Sequence, residues 1–135
     1  MPTALGSSPT ILVVDDEHAV VNLVKLILEA AGYRVLAACD GQQALALFDN
    51  RSQSIDLLLT DINMPNVSGL QLACEVSETA PGLPVIFMTG CPAESPLIDF
   101  LRREGPFSDC TVISKPFTPP QLLGQISGIL SASLR

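Results

Sequence analysis

Positive charge is scarce in this sequence, and so is charge of either sign. The 135 residues include 7 Lys and Arg against 14 Asp and Glu, which gives a net charge of −7. Direct binding of nucleic acid needs a basic face, so the shortage of Lys and Arg argues against it. Only 16% of the residues are charged and 47% are hydrophobic, which excludes a disordered chain. The length suffices for one globular domain with a substantial core.

Long apolar runs, a leader and metal-binding cysteine pairs are also missing. No apolar run approaches the ~18 residues that a membrane helix needs, and residues 1–9 lack the basic and apolar regions of a signal peptide. We therefore expect a cytoplasmic location and no membrane contact. The cysteines form no Cys-x-x-Cys pair and His18 is the single histidine, so neither a zinc site nor a catalytic histidine is expected. No Gly-rich loop follows the first apolar run, which argues against a nucleotide-binding domain.

Short apolar runs alternate with helical patterns along the chain. The runs predict strands at 11–14, 34–38, 55–60, 85–88 and 110–114, and the intervening patterns predict five helices, at 17–31, 42–49, 70–78, 97–104 and 121–130. Several strands are continuous apolar runs, as is typical of strands covered on both faces. The alternation predicts an α/β fold with a five-stranded parallel sheet. We expect no output domain, because the sequence ends soon after the last predicted helix.

Polar side chains follow four of the five predicted strands. Asp15 and Asp16 follow the first strand, Asp61 follows the third, Thr89 the fourth and Lys115 the fifth. Ligands of open α/β sheets bind at the carboxyl ends of the strands. We therefore expect three carboxylates, a hydroxyl group and an ammonium group to meet at one edge of the sheet.

These groups suit a cation and a phosphoryl group. Three neighbouring carboxylates repel one another, and Mg²⁺, which prefers oxygen ligands, relieves the repulsion. The backbone carbonyl of Asn63, two residues past Asp61, can turn toward the same ion. Asp61 can also act as a covalent nucleophile toward phosphorus. Lys115 would then neutralise the phosphoryl oxygens, and the hydroxyl group of Thr89 would donate a hydrogen bond to one of them.

Each of these residues alone has an ordinary structural explanation. Asp15 and Asp16 suit the N-terminus of a helix, and Asp61 suits a turn. Lys115 would ordinarily be a solvated surface residue, and Thr89 an ordinary residue at a strand end. Their shared position at the carboxyl ends of the strands favours a functional interpretation.

The whole set resembles the receiver domain of two-component response regulators, including chemotaxis regulators. The resemblance extends from Ile11 to Leu130 and rests on the following elements in order: Asp15-Asp16, Asp61, Met64-Pro65, Gly69, Thr89 and Lys115-Pro116. It implies a flavodoxin-like, doubly wound sheet with the strand order 2-1-3-4-5. It also divides the chain into a flexible N-terminal tail at 1–9, a receiver domain at 10–131 and a C-terminal tail at 132–135.

The resemblance implies a phosphoacceptor and a magnesium site. Asp61 would accept a phosphoryl group from a histidine kinase or a histidine phosphotransfer protein. Asp16 and Asp61 would bind Mg²⁺ directly, Asp15 through a water molecule and Asn63 through its carbonyl group. The downstream protein target is unknown, and the domain would be a monomer or a weak homodimer.

The resemblance also implies the parts of a switch. Thr89 would be the switch hydroxyl, and Lys115 would hold the phosphoryl group. The peptide bond between Lys115 and Pro116 would be cis, a conformation found mainly before proline. Such a domain is a self-phosphorylating phosphoacceptor rather than a turnover enzyme.

The chain departs from the usual pattern of the family in several places. Val112 stands three residues before the lysine, where Tyr or Phe is usual, so an aromatic ring that turns inward on phosphorylation is absent. We expect Phe107, or a shift of the predicted helix at 97–104, to transmit the signal. Gly90 replaces the common Ala after the switch hydroxyl, which should loosen that loop. Cys91 positions water poorly, so we predict slow self-dephosphorylation.

The first predicted helix has more apolar residues than one face needs. Val21 and Leu26 fall outside its periodic stripe, whose positions predict a buried face of Val20, Leu23, Val24, Ile27, Leu28 and Ala31. Scattered exposed apolar residues are common in folded proteins. The resemblance instead favours a docking surface for the helical bundle of a kinase.

Two other classes of function stay open. A degenerate receiver would be a phosphorylation-independent interaction module; Val112 allows this, whereas the acidic residues and Lys115 argue against it. An aspartyl-phosphate phosphatase of another α/β family would need a general-acid Asp two residues after its nucleophile, and Asn63 occupies that position. The residues favour a domain that is phosphorylated and then changes its binding of a partner.

Overall fold

The computed structural model describes residues 8–51, 54–64, 67–90 and 111–133. Strands and helices alternate in these ranges, except that the last two strands stand on either side of residues 91–110, which lie outside the described ranges. The elements are β1 (Thr10–Val14), α1 (His18–Ala30), β2 (Arg34–Ala38), α2 (Gly41–Arg51), β3 (Leu57–Asp61), α3 (Gly69–Thr79), β4 (Val85–Thr89), β5 (Thr111–Ser114) and α4 (Pro119–Ser133). These ranges contain four helices where the sequence predicts five. The remaining predicted helix, at 97–104, lies outside the described residues, as does Cys110 at the predicted start of the last strand.

The five strands form one parallel sheet in the order β2-β1-β3-β4-β5. This confirms the predicted flavodoxin-like, doubly wound α/β fold. In the register of the sheet, Asp61 lies opposite Met88, and Thr89 lies opposite Ser114. Parallel pairing therefore brings the carboxyl ends of β3, β4 and β5 to the same edge of the sheet.

Side chains of the central strands alternate between two apolar layers, and both layers are closed to water. Ile11 and Val13 of β1 pack in the layer that contains residues of α1 and α4, whereas Leu12 and Val14 pack in the layer that contains residues of α2 and α3. Every residue of β1, β3 and β4 is buried. Burial on both faces explains why these strands are apolar runs rather than alternations.

Helix α1 presents a different face to the sheet from the one that the sequence predicts. Val21, Val24 and Leu28 are its buried residues, whereas Leu23 is 56% exposed. The predicted burial of Leu23 and of Ala31 is therefore wrong, and so is the placement of Val21 outside the stripe. Val24 and Leu28 belong to both possible stripes, and packing against the sheet selects the one that includes Val21. The predicted exposure of Leu26 is confirmed, at 67%.

Among the described residues, no helix is both long enough and apolar enough to cross a membrane.

The end of β3 and the start of α3 approach so closely that only glycine fits between them. The N–H of Gly69 donates a hydrogen bond to the carbonyl oxygen of Ile62, at 2.9 Å. A Cβ atom on Gly69 would collide with the carbonyl oxygen of Asp61. Ser68 begins the helix, because its hydroxyl oxygen accepts a hydrogen bond from the N–H of Gln71 at 3.1 Å.

We expect Gly69→Ala to lower the free energy of unfolding by about 1–3 kcal/mol, because the added methyl group overpacks a site bounded by backbone. Urea denaturation measures this value. Gly124→Ala is the matched control: it lies in α4 with no atom within 4 Å of the added Cβ, so a gain of up to about 1 kcal/mol is expected there. Equal stability of Gly69→Ala and the wild type would contradict the close approach.

Candidate functional site

Asp61 ends the central strand β3, and only 6% of its surface is exposed. Its backbone is held on both sides. The hydroxyl group of Thr60 donates to the carbonyl oxygen of Asp61 at 3.0 Å, and the N–H of Ile62 donates to the carbonyl oxygen of Met88 at 3.1 Å. The Asp61 carboxylate therefore starts from a rigid position at the edge of the sheet.

Asp15 is fully buried and uses both carboxylate oxygens. Its Oδ1 accepts a hydrogen bond from the N–H of Glu17 at 2.9 Å, and its Oδ2 accepts one from Lys115 Nζ at 2.7 Å. The first contact is the helix-entry role that the sequence offers as an ordinary explanation. The second contact joins Asp15 to the other strand ends, so this side chain has both roles.

Lys115 connects the carboxylates of two strand ends. Its Nζ atom lies 2.7 Å from Asp15 Oδ2 and 3.4 Å from Asp61 Oδ2, and its side chain is 20% exposed. Its backbone N–H donates to the carbonyl oxygen of Thr89 at 2.8 Å, and its peptide bond to Pro116 is cis, as the resemblance implies. Lys115 is thus a paired residue of the site and not a solvated surface lysine.

The charges of the site shift the proton affinities of its groups. Burial raises the pKa of Asp61 above its ordinary value, and the charge of Asp15 adds to this, whereas Lys115 and the backbone N–H of Asn63 oppose it. Burial alone would lower the pKa of Lys115, but its hydrogen bond to Asp15 and the two negative charges raise it. The distances agree with the larger effect of Asp15 on the pKa of Lys115, because Lys115 lies closer to Asp15 than to Asp61.

The arrangement can hold a hard divalent cation. One oxygen from each of Asp15, Asp16 and Asp61 lies within 4.8 Å of the others, a spacing that ligands around one ion at about 2.0–2.1 Å require. Asp16 is exposed, so the water ligands that Mg²⁺ retains have access from its side. The structure therefore brings the three predicted carboxylate ligands together around one possible ion position.

Asn63 and Thr89 complete the predicted set. The backbone N–H of Asn63 faces the Asp61 carboxylate as a hydrogen-bond donor, a contact that the sequence does not reveal; a contact of its carbonyl group with a cation stays a prediction. Thr89 is buried at the end of β4, one residue beyond the partner of Asp61 in the sheet. Its role as a switch hydroxyl likewise stays a prediction.

The fold and the site together define a doubly wound α/β domain with an acidic, lysine-containing pocket at the carboxyl edge of its sheet. Residues 11–127 match the family model of the response regulator receiver domain. The chain belongs to this family, whose members are receiver domains of two-component signalling.

Relatives of known sequence and structure agree with this assignment. The chain is 36% identical over 128 residues to the transcriptional regulatory protein TrcR of Mycobacterium tuberculosis (95% of this chain, 48% of that protein) and 39% identical over 123 residues to the transcriptional regulatory protein CpxR of Klebsiella pneumoniae (91% and 50%). A CheY-like response regulator receiver domain protein of Methanospirillum hungatei superposes with a TM-score of 0.80 at 31% identity, covering 94% of this chain and 97% of that one. The chain thus spans about half the length of the two transcriptional regulatory proteins.

We expect Asp61→Asn to raise the free energy of unfolding at pH 7. The raised pKa of Asp61 means that its ionised form is less stable in the folded protein than in the unfolded chain, so neutralisation removes a penalty. The gain should shrink as pH falls through the folded pKa, and it should vanish below the unfolded value near 3.8. Urea denaturation of both proteins from pH 7 to pH 3.5 measures the difference.

Asp49→Asn is the matched control, since Asp49 is an exposed carboxylate on α2. It should change stability by less than about 0.5 kcal/mol throughout that range. A gain for Asp61→Asn that stays constant as the pH falls would refute the electrostatic explanation.

Mg²⁺ should stabilise the wild-type protein against unfolding, because it relieves repulsion among the three carboxylates. At ten times its dissociation constant the gain would be about 1.4 kcal/mol. Thermal unfolding in MgCl₂, against NaCl of equal ionic strength, measures it. Asp16→Asn should abolish most of the gain and Asp49→Asn should retain it. Equal gains in the two variants would place the binding elsewhere.

Proposed function

We propose that Asp61 accepts a phosphoryl group from the phosphohistidine of a histidine kinase or a histidine phosphotransfer protein. The proposal rests above all on one observation: a buried carboxylate at a strand end has Lys115 Nζ within 3.4 Å. The modified domain then changes its affinity for a downstream protein. Membership of the receiver family supports this assignment.

In the proposed reaction, a carboxylate oxygen of Asp61 attacks phosphorus. The bond from phosphorus to the histidine nitrogen breaks, and the imidazole leaves with the electron pair and takes up a proton. An acyl phosphate forms on Asp61, which carries charge on its remaining oxygens. Lys115, whose Nζ atom lies 3.4 Å from Asp61 Oδ2, is proposed to pair with one of these oxygens, and the hydroxyl group of Thr89 to donate a hydrogen bond to another.

The acidic residues would hold the metal ion in different ways. Asp16 and Asp61 are proposed as direct ligands of Mg²⁺ and Asn63 as a ligand through its carbonyl group. Both oxygens of Asp15 already accept hydrogen bonds, from Glu17 and Lys115, which supports a role for Asp15 through water rather than direct contact. When bound, Mg²⁺ supplies positive charge to the phosphoryl oxygens.

The output of the domain would come from a change in partner binding and not from turnover of a substrate. The relatives TrcR and CpxR are transcriptional regulatory proteins about twice as long as this chain, so any contact with DNA is proposed for another polypeptide segment or another protein. A monomer or weak homodimer, a cytoplasmic location and the domain limits 10–131 stay predictions. The acidic pocket and Lys115 favour this function over the degenerate alternative.

Signal transmission in this chain is proposed to bypass an aromatic relay. Val112 lies opposite Phe87 in the sheet and is half-buried against the apolar layer on the side of α2 and α3. It has no ring to turn. Phe107, the predicted helix at 97–104 and Cys91 lie outside the described residues, so a signalling role for the first two and slow self-dephosphorylation through Cys91 stay predictions.

Acetyl phosphate tests the proposed function directly. In the presence of Mg²⁺ the intact protein should gain the mass of one phosphoryl group, and the gain should disappear without Mg²⁺ and in Asp61→Asn. Asp49→Asn should be labelled like the wild type. Labelling that persists in Asp61→Asn would exclude this residue as the acceptor. If the wild type were not labelled, failure to bind beryllofluoride as well would favour the degenerate alternative.

A further inference from the structure

Gly41, the first residue of α2, lies directly beneath Val67 of the loop that follows Asp61. A Cβ atom on Gly41 would be 2.5 Å from Cβ of Val67, 2.7 Å from its Cγ1 and 3.0 Å from its carbonyl oxygen. Real side chains do not approach so closely. Among the described glycines only Gly32 has a positive φ, so the backbone conformation of Gly41 does not by itself demand glycine. Its missing side chain therefore serves the contact with Val67.

The helix side of this contact is firmly held. Asp40 accepts a hydrogen bond from the N–H of Gln43 at 2.7 Å, and the side chain of Gln43 accepts one from the N–H of Cys39 at 2.9 Å. These two bonds form a reciprocal cap at the start of α2. Ala44 and Phe48 of the same helix are buried in the core. We therefore expect a larger residue at position 41 to displace the loop rather than the helix.

The loop side of the contact leads to the acceptor residue. Met64 and Val67 both pack against the apolar layer on the side of α2 and α3, and the N–H of Asn63 is a hydrogen-bond donor to the Asp61 carboxylate. Gly69 closes the base of the loop through its hydrogen bond to Ile62. The hydrogen bond from Gly69 to Ile62 thus closes the loop, and Val67, two residues before Gly69, packs on Gly41.

We propose that Gly41 is a positioning residue for phosphoryl transfer: its bare Cα admits Val67, and this contact keeps Asn63 in place beside Asp61. The proposal rests on the proposed function of Asp61, which it deepens by adding a residue that touches neither the phosphoryl group nor the metal ion. Two segments remote in sequence, the start of α2 and the loop after β3, then set the geometry of the acceptor together.

The size of the expected effect follows from the distances. With alanine at position 41, Val67 must move by about 1 Å to reach an ordinary contact distance of 3.4 Å or more. A misplacement of about 1 Å at a reacting centre can cost about 100-fold in rate. We expect Gly41→Ala to slow labelling by acetyl phosphate about 10- to 100-fold while the protein remains folded.

A double-mutant cycle separates positioning from a general loss of structure. The four proteins are the wild type, Gly41→Ala, Val67→Gly and the double variant, with Gly124→Ala as the matched control, since it adds a methyl group in open space. Val67→Gly removes the two side-chain atoms that the new methyl group would meet. Labelling rates, unfolding curves and the amide chemical shift of Asn63 are measured for each.

The expected result is slow labelling and a displaced Asn63 amide signal in Gly41→Ala. In the Val67→Gly background, Gly41→Ala should change the labelling rate by less than about threefold and leave the Asn63 amide signal at the position it has in Val67→Gly. Gly124→Ala should be labelled like the wild type and should leave the Asn63 amide signal unmoved. A labelling rate for Gly41→Ala within twofold of the wild type, or an equal slowing by Gly41→Ala in the wild-type and Val67→Gly backgrounds, would overturn the proposal.

Failure of the proposed function gives a different pattern. If the wild type were not labelled at all, the amide signal of Asn63 would still decide the positioning role. A signal that moves in Gly41→Ala and returns in the double variant would support the contact without phosphoryl transfer. A signal that does not move would overturn it.

Discussion

One ammonium group makes it possible for two carboxylates to share the buried edge of this sheet. Asp15 has no exposed surface and Asp61 has 6%, and Lys115 Nζ lies within hydrogen-bonding or ion-pairing distance of both. Without that charge, the desolvation of two anions side by side would oppose folding. The parallel order β2-β1-β3-β4-β5 brings the ends of β1, β3 and β5, which carry these three groups, to one edge of the sheet.

The unequal environments of the two adjacent acids divide their tasks. Asp15 is buried and spends its oxygens on Lys115 and on the backbone of α1, whereas Asp16 is exposed and keeps its carboxylate open to solvent. Asp15 thus organises the pocket through its hydrogen bonds, whereas the adjacent Asp16 has a carboxylate that solvent can reach. Asp61 shares burial with Asp15, but its contact with Lys115 is longer, at 3.4 Å, so its carboxylate is less firmly paired.

The strand ends could be predicted from sequence because each combines an apolar run with a polar residue, and parallel sheets align such ends. The orientation of α1 could not, because Val24 and Leu28 fit two stripes and only packing on the sheet chooses between Val21 and Leu23. The hydrogen bond from the N–H of Glu17 to Asp15 is only weakly indicated by the sequence, through an Asp that stands two residues before the start of a helix. Close approaches through missing side chains, such as that of Gly41 to Val67, depend on distant segments and leave no periodic pattern.

The ion pair between Lys115 and Asp15 joins residues 100 positions apart. It can therefore form only after the ribosome has synthesised most of the chain. A nascent chain that has emerged only as far as β4 already contains Asp15, Asp61 and the core strands that bury them, but it lacks Lys115, the cation that pairs with both. The acids meet Lys115 only after β5 has left the ribosome and paired with β4. A chain that ends before residue 115 therefore carries both buried acids without the group that neutralises them.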